Sequence, residues 1–163
     1  MSKDLVSIVL AVHNGEKYLA SQIESILNQT YDNFELIISD DLSSDCSLEI
    51  AKKFGEKDNR IKIIENSQNL GIISNFFSAL KKTRGRYICF SDQDDIWLLD
   101  KIQKLVDCLE SDVNVSLAYS DLEIYNDSLT KKMGSFWGVT GIGGDSGKLV
   151  RRLFLKIYLR DVQ

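Results

Sequence analysis

Proline is absent from these 163 residues, where an average composition would place about eight. Glycine is scarce outside one region, since six of the ten lie between Gly134 and Gly147. Those two facts exclude a Pro-rich linker, a collagen-like repeat and a low-complexity chain. Cysteine is limited to Cys46, Cys89 and Cys108, an odd number without metal-ligand spacing, which argues for small buried thiols in a reducing compartment rather than a disulfide frame or a zinc site. A single histidine, His13, removes most triad and zinc chemistries. Basic residues are not in excess: 20 against 24 acidic ones give a net charge of -4, so nucleic acid is not an expected partner. No apolar run approaches the ~18–20 residues of a membrane-spanning helix. Lys3 before Leu5–Val12 suggests the start of a signal peptide, but the run is short and His13-Asn14-Gly15 follows it, so a strand and a cytoplasmic location are expected.

What is present is alternation. Leu5–Val12, Phe34–Ser39, Ile61–Ile64 and Tyr87–Phe90 are short apolar runs of the kind buried on both faces of a sheet. Between and after them, apolar residues recur at helical spacing: Leu19, Ile23, Ile26 and Leu27; Leu48, Ala51 and Phe54; Phe76, Phe77 and Leu80; Ile102, Leu105, Val106 and Leu109. Four βα units imply a three-layer α/β/α domain with a mostly parallel, Rossmann-like sheet. Beyond residue 110 the pattern loosens to strands at Val115–Tyr119 and Leu122–Tyr125, a loop from Gly134 to Gly147, and a helix from Lys148 to Arg160. That last segment is basic and amphipathic; from Lys148 onward five basic residues against Asp161 give +4, leaving -8 for the rest. Its apolar face calls for burial against the domain's own core, a second copy, a partner chain or an anionic membrane surface.

Ligands of open parallel sheets bind outside the carboxyl ends of the strands. Three polar clusters fall at such ends: Ala11–Glu16, Asp40-Asp41 and Asp92-Gln93-Asp94-Asp95. Crowded carboxylates repel unless their pKa values rise or a cation compensates, and hard oxygen donors suit Mg²⁺ or Mn²⁺ completed by substrate phosphates. The plainer alternative is that Asp and Asn end strands and cap helices. A Gly-x-Gly-x-x-Gly turn, a P-loop and a Gly-x-Ser-x-Gly elbow are all missing. A metal-dependent site for a phosphorylated or nucleotide ligand remains.

Val6-Ser7-Ile8-Val9 leading to His13-Asn14-Gly15, the segment SQIESILNQTY (Ser21–Tyr31), Phe34–Ile38 running into Asp40-Asp41-Leu42-Ser43-Ser44-Asp45, Asn69-Leu70-Gly71, and Ser91-Asp92-Gln93-Asp94-Asp95-Ile96-Trp97 together resemble the family 2, GT-A-fold glycosyltransferases. The DQDDIW form is similar to that of bacterial enzymes that build surface polysaccharides. The resemblance implies strand order 3-2-1-4, a UDP- or dTDP-sugar donor, and a glycan or lipid-linked glycan acceptor. It implies that Ala11, His13 and Glu16 line the base and ribose pocket, that Asp41 accepts the pyrimidine ring N–H, and that Asp92 faces the ribose while Asp94 faces a Mn²⁺ or Mg²⁺ ion. His13 reads as pocket lining more simply than as a proton carrier, and Trp97 as packing more simply than as a sugar platform. The family's carboxylate base lies further along than this chain extends, so no catalytic residue is assigned. Residues 1–126 are expected to form the nucleotide-sugar-binding core and 127–163 a shortened acceptor-side segment. Two rivals stand beside an inverting transferase: an inactive nucleotide-sugar-binding fragment, and a nucleotidyltransferase, which would want a Gly-rich basic loop after the first strand.

Overall fold

A computed structural model describes residues 3–126, 129–140 and 158–160, the last three by backbone alone. The described chain divides into two compact units, residues 3–118 with strand 158–160, and residues 119–140.

The larger unit is the expected α/β alternation. Its order is β1 (Val6–Val12), α1 (Leu19–Leu27), β2 (Phe34–Asp40), α2 (Ser47–Gly55), β3 (Ile61–Glu65), α3 (Ile72–Leu80), β4 (Tyr87–Ser91) and α4 (Lys101–Glu110), then β5 (Leu117–Ala118). β1 pairs in parallel with β2 and β4, and β2 with β3. The strands therefore stand 3-2-1-4, as the resemblance implied. Period-two alternation splits the buried apolar residues between the two faces. Val6, Ile8, Leu10 and Val12, with Leu36 and Ile38, meet Leu19, Ile23 and Ile26 of α1, Ala51 of α2, and Ile102, Leu105, Val106 and Leu109 of α4. Val9, Ile37 and Ile88 face the other way, toward Phe76, Ala79 and Leu80 of α3. The result is three layers with β1 at the centre. Both of its faces are covered, which is why its sequence is a continuous apolar run.

At the amino-terminal edge of the sheet, Glu35 is buried beneath polar partners. It accepts from Ser7 Oγ at 2.7 Å, Lys62 Nζ at 2.7 Å and the Arg84 backbone N–H at 2.8 Å. Burial pushes its pKa up, but the Lys62 and Ser7 hydrogen bonds outweigh burial, so its carboxyl sits below the ordinary range.

Three expectations change. The Lys148–Arg160 helix does not extend to its end, because Tyr158–Arg160 is a strand, here β8, antiparallel to both β4 and β5; pairing with the free edge of β4 satisfies backbone groups that a helix end would leave open. The remainder of that helix, and the glycines from 141 to 147, lie outside the described residues. The fifth strand contracts to Leu117–Ala118. Of the loop expected from Gly134 to Gly147, residues 134–140 are not loop. In the smaller unit, β6 (Glu123–Tyr125) and β7 (Lys132–Ser135) form an antiparallel hairpin followed by α5 (Phe136–Thr140). The Asn126 side chain organises the turn by accepting from the Thr130 and Lys131 N–H groups at 2.9 and 3.0 Å, and Asp121 caps α5 through the Trp137 N–H at 3.0 Å. No helix among the described residues is long and apolar enough to cross a membrane.

Candidate functional site

Because β1, β2 and β4 are adjacent and parallel, the segments that follow them emerge on one edge of the sheet, and they are stitched together there. The turn after β1 is bound to the segment after β2 in both directions. Asn14 and Gly15 donate backbone N–H groups to Ser43 Oγ at 3.0 Å and Ser47 Oγ at 2.8 Å, and Asn14 Oδ1 accepts from the Ser44 N–H at 2.8 Å. Glu16 and Asp45 exchange bonds: the Glu16 N–H donates to Asp45 Oδ2 at 3.0 Å, and Glu16 Oε2 accepts from the Cys46 N–H at 2.9 Å. Glu16 therefore serves the N-terminus of α2, and its carboxylate pushes the Cys46 thiol pKa up. Ala11, half-buried, lies opposite Ser39 on β2.

His13 is exposed, and its ring is placed by its neighbours. Nδ1 lies 2.9 Å from the Asp41 carbonyl, which can only accept. Nε2 faces the amide nitrogens of Asn14 and Asn69 at 3.3 and 3.4 Å. Those amides are themselves oriented, because their oxygens accept backbone N–H groups of Ser44 and Gly71. The arrangement selects the tautomer with the proton on Nδ1 and an accepting Nε2.

The carboxylates expected as one crowded group divide into two kinds. Asp40 and Asp41 belong to the fold, as does Asp45, which was not among that group: Asp40 Oδ2 takes the Ser43 N–H at 3.0 Å, and Asp45 Oδ1 the Ser47 N–H at 2.9 Å. Burial pushes the Asp45 pKa up, yet these N–H bonds hold it below its ordinary value. Asp41 is buried and sits at the start of α3, where Oδ1 accepts from Asn66 Nδ2 at 3.0 Å and the Leu70 N–H at 2.8 Å, and Oδ2 from the Gly71 N–H at 2.9 Å. Gly71 adopts φ +79°, which a side chain would resist, and this aims its N–H at the carboxylate. Asp92 and Asp94 are the other kind. Both are exposed at the end of β4, and neither carboxylate has a hydrogen-bond or ion-pair partner among the described residues.

The loop carrying them is held from below by α1. Gln22 and Ser25 of α1, with Gln29 just past its C-terminus, form a polar row at helical spacing. The Trp97 indole can only donate, which turns the Gln22 amide oxygen toward it at 3.2 Å and toward Ser91 Oγ at 2.6 Å, while the amide nitrogen donates to the Asp95 carbonyl. Ser25 Oγ accepts from the Trp97 N–H at 3.0 Å. Gln29 donates to the Leu98 carbonyl at 2.7 Å and accepts from the Ile102 N–H at 3.0 Å. Trp97 is buried, in keeping with a packing role. From above, Gln93 binds the peptide of His13. Sequence reasoning used α1 only for its apolar spacing and passed over Gln93; the polar residues at positions 22, 25 and 29 were the available signal for the row.

His13, the Asp41 backbone and the Asp92–Asp94 loop are thus brought together, while the Asp41 carboxylate turns to α3 and that of Glu16 to α2. Among the described residues no three acidic, His or Cys side chains cluster as a metal site. Two unpartnered carboxylates fit an ion that takes one or two protein oxygens and fills its shell with phosphate and water.

Residues 7–154 match the family model described as Glycosyl transferase family 2. Over 128 residues the chain is 37% identical to the Escherichia coli UDP-Glc:alpha-D-GlcNAc-diphosphoundecaprenol beta-1,3-glucosyltransferase WfgD, covering 78% of this chain and 49% of that protein. S. aureus TarS 1-349 in complex with UDP superposes with a TM-score of 0.64 at 20% identity, over 95% of this chain and 46% of TarS 1-349. The mannosyltransferase PcManGT from Pyrobaculum calidifontis, in complex with GDP-Man and Mn²⁺, does so with a TM-score of 0.66 at 19% identity, over 74% and 35%. At such identities the two structures speak to the fold. The chain spans less than half the length of the curated relatives it matches.

Proposed function

The chain belongs to glycosyl transferase family 2, and from that premise we propose that it binds a UDP- or dTDP-sugar at the shared edge of β1, β2 and β4 and serves sugar transfer to a glycan acceptor. The observation that carries this reading is the sorting of the carboxylates. The carboxylates of Glu16, Asp41 and Asp45 accept backbone N–H groups at the starts of α2 and α3, whereas those of Asp92 and Asp94 are exposed and have no partner among the described residues.

In this reading Ala11, His13 and Glu16 border the base and ribose. Among the described residues Asp41 Oδ2 accepts the Gly71 N–H alone, which leaves it one lone pair for a pyrimidine ring N–H. Asp92 faces the ribose, and Asp94, with Asp92, would hold Mn²⁺ or Mg²⁺. When bound, such an ion supplies charge stabilisation to the diphosphate as the sugar–phosphate bond breaks. The acceptor hydroxyl would form the new bond to the anomeric carbon as the bond to the diphosphate breaks, with inversion, its proton passing to a general base; the β-1,3 transfer named for WfgD supports that course. The diphosphoundecaprenol in the same name supports a lipid-linked acceptor, and our reading places the transfer at the cytoplasmic face of a membrane. Residues 1–126 are the donor side of this arrangement and 127–163 the acceptor side.

Calorimetry with UDP and Mn²⁺ tests the proposal. Binding that EDTA weakens, and that Asp94→Ala weakens to a similar degree, is the expected result. No binding, or binding indifferent to both, would refute it; binding without sugar turnover would make this chain a nucleotide-sugar-binding segment.

A further inference from the structure

The Asp92–Asp94 loop carries two carboxylates that repel each other and have no protein partner among the described residues to hold them in place. Gln93 lies between them and does not face solvent freely. Its Oε1 accepts the His13 N–H at 2.9 Å, and its Nε2 donates to the His13 carbonyl at 3.2 Å. Donor meets acceptor at both points, so the amide has one orientation. The parallel ladder between β1 and β4 ends at Leu10 and Ser91; past that point the Gln93 side chain takes the place of a further strand residue and continues the pairing. Gly15 leaves room for it. A Cβ at that position would stand 2.5 Å from Gln93 Oε1 and 2.6 Å from Cδ, closer than any real contact.

We propose that Gln93 is a positioning residue that locks the Asp92–Asp94 loop to the His13–Gly15 turn, so that the groups facing the nucleoside and those facing the diphosphate form one preorganised body. The inference rests on the functional reading above. A ligand spanning both segments gains from their fixed relation because neither has to be ordered during binding. Breaking the lock leaves each segment able to make its own contacts, so the loss should fall on the part of the affinity that needs Asp92 and Asp94.

The test is calorimetry of UDP, with Mn²⁺ and with EDTA, on the whole chain and on Gln93→Leu, which keeps the volume and removes both hydrogen bonds. Urea unfolding of each protein accompanies it. The expected result is about tenfold weaker binding with Mn²⁺, equivalent to about 1.4 kcal/mol, and a change within about twofold in EDTA. A merely structural role would lower both affinities together. Gly15→Ala pushes on the same amide and should reproduce the pattern, whereas Gly15→Ala added to Gln93→Ala should cost little more than Gln93→Ala alone. Gln93→Leu binding like the unaltered chain, or losing equally in both conditions, overturns the lock alone. An unaltered chain that binds no UDP with Mn²⁺ overturns the functional reading and the lock with it.

Discussion

Gly85→Ala should be among the most damaging single-methyl additions in the larger unit. The added Cβ would lie 2.5 Å from the Ser7 backbone nitrogen, 2.7 Å from the Leu5 carbonyl oxygen and 2.8 Å from Ser7 Oγ. Two of these three atoms are backbone, and Ser7 belongs to β1, which is paired on both sides and cannot retreat. Gly85 also donates its N–H to Ser7 Oγ at 2.7 Å, the hydroxyl that donates to Glu35, so a shift there disturbs the buried carboxylate as well. Overpacking typically costs about 1–3 kcal/mol, and two backbone atoms at the start of a strand paired on both sides place this case at the upper end, about 3 kcal/mol. For a protein of this size that is a fall in Tm of roughly 6–12 °C. Gly55→Ala is the control: its nearest neighbour is the flexible end of Ile63 at 3.2 Å, and at the last residue of α2 alanine gains at most the ~1 kcal/mol it has over glycine in a helix interior, so stability should stay within about 1 kcal/mol of the starting protein. Urea and thermal unfolding of both variants decide the matter. A Gly85→Ala protein destabilised by less than about 1 kcal/mol, or a Gly55→Ala protein destabilised as much, would show that the crowding argument is wrong.

Acid should expose the Glu35 network. Its native pKa lies below the ordinary value, so its contribution is complete above the unfolded carboxylate pKa of about 4.3 and disappears as pH falls through the lowered native value; urea unfolding at pH 6 and pH 3 should show a smaller pH-driven loss for Glu35→Gln than for the unaltered protein, and equal losses would contradict the assignment. Gln29→Leu removes the partners of the Leu98 carbonyl and the Ile102 N–H, which should cost about 2–3 kcal/mol and speed hydrogen exchange at the Ile102 amide; a cost below about 0.5 kcal/mol with unchanged exchange would count against a templating role for the polar row that runs from α1 past its C-terminus.

The first four strands were legible in the sequence because each is buried on both faces, so a short run such as Val6–Val12 carries its own signal. The polar clusters at their ends were legible as well, since a strand that stops in Asp-Asp or Asp-Gln-Asp-Asp must place those groups at the sheet edge. What each carboxylate does there was not. Asp41 and Asp92 look alike in sequence, and only the arrival of the α3 N-terminus, some thirty residues later, assigns one to the fold and leaves the other open. The hairpin around Asn126 was missed for a related reason: Lys132-Met133-Gly134-Ser135 has no apolar alternation, and side-chain bonds to backbone, not burial, give it shape. At Tyr158–Arg160 helical periodicity lost to the vacant edge of β4, a tertiary effect that local pattern does not carry.

The polar row on α1 and just past its C-terminus bears on how this loop could be moved or redesigned. Residues 95–102 take their shape from Gln22, Ser25 and Gln29, some seventy positions earlier. A graft of the DQDDIW segment alone would arrive in a new scaffold without its mould; the transplantable unit is the segment together with the helix. In a library that randomises the loop, length changes should be accepted only when the helix is randomised with it. Across homologues, substitutions at positions 22, 25 and 29 should track those at 97–102 more closely than they track the strands on which the same helix rests.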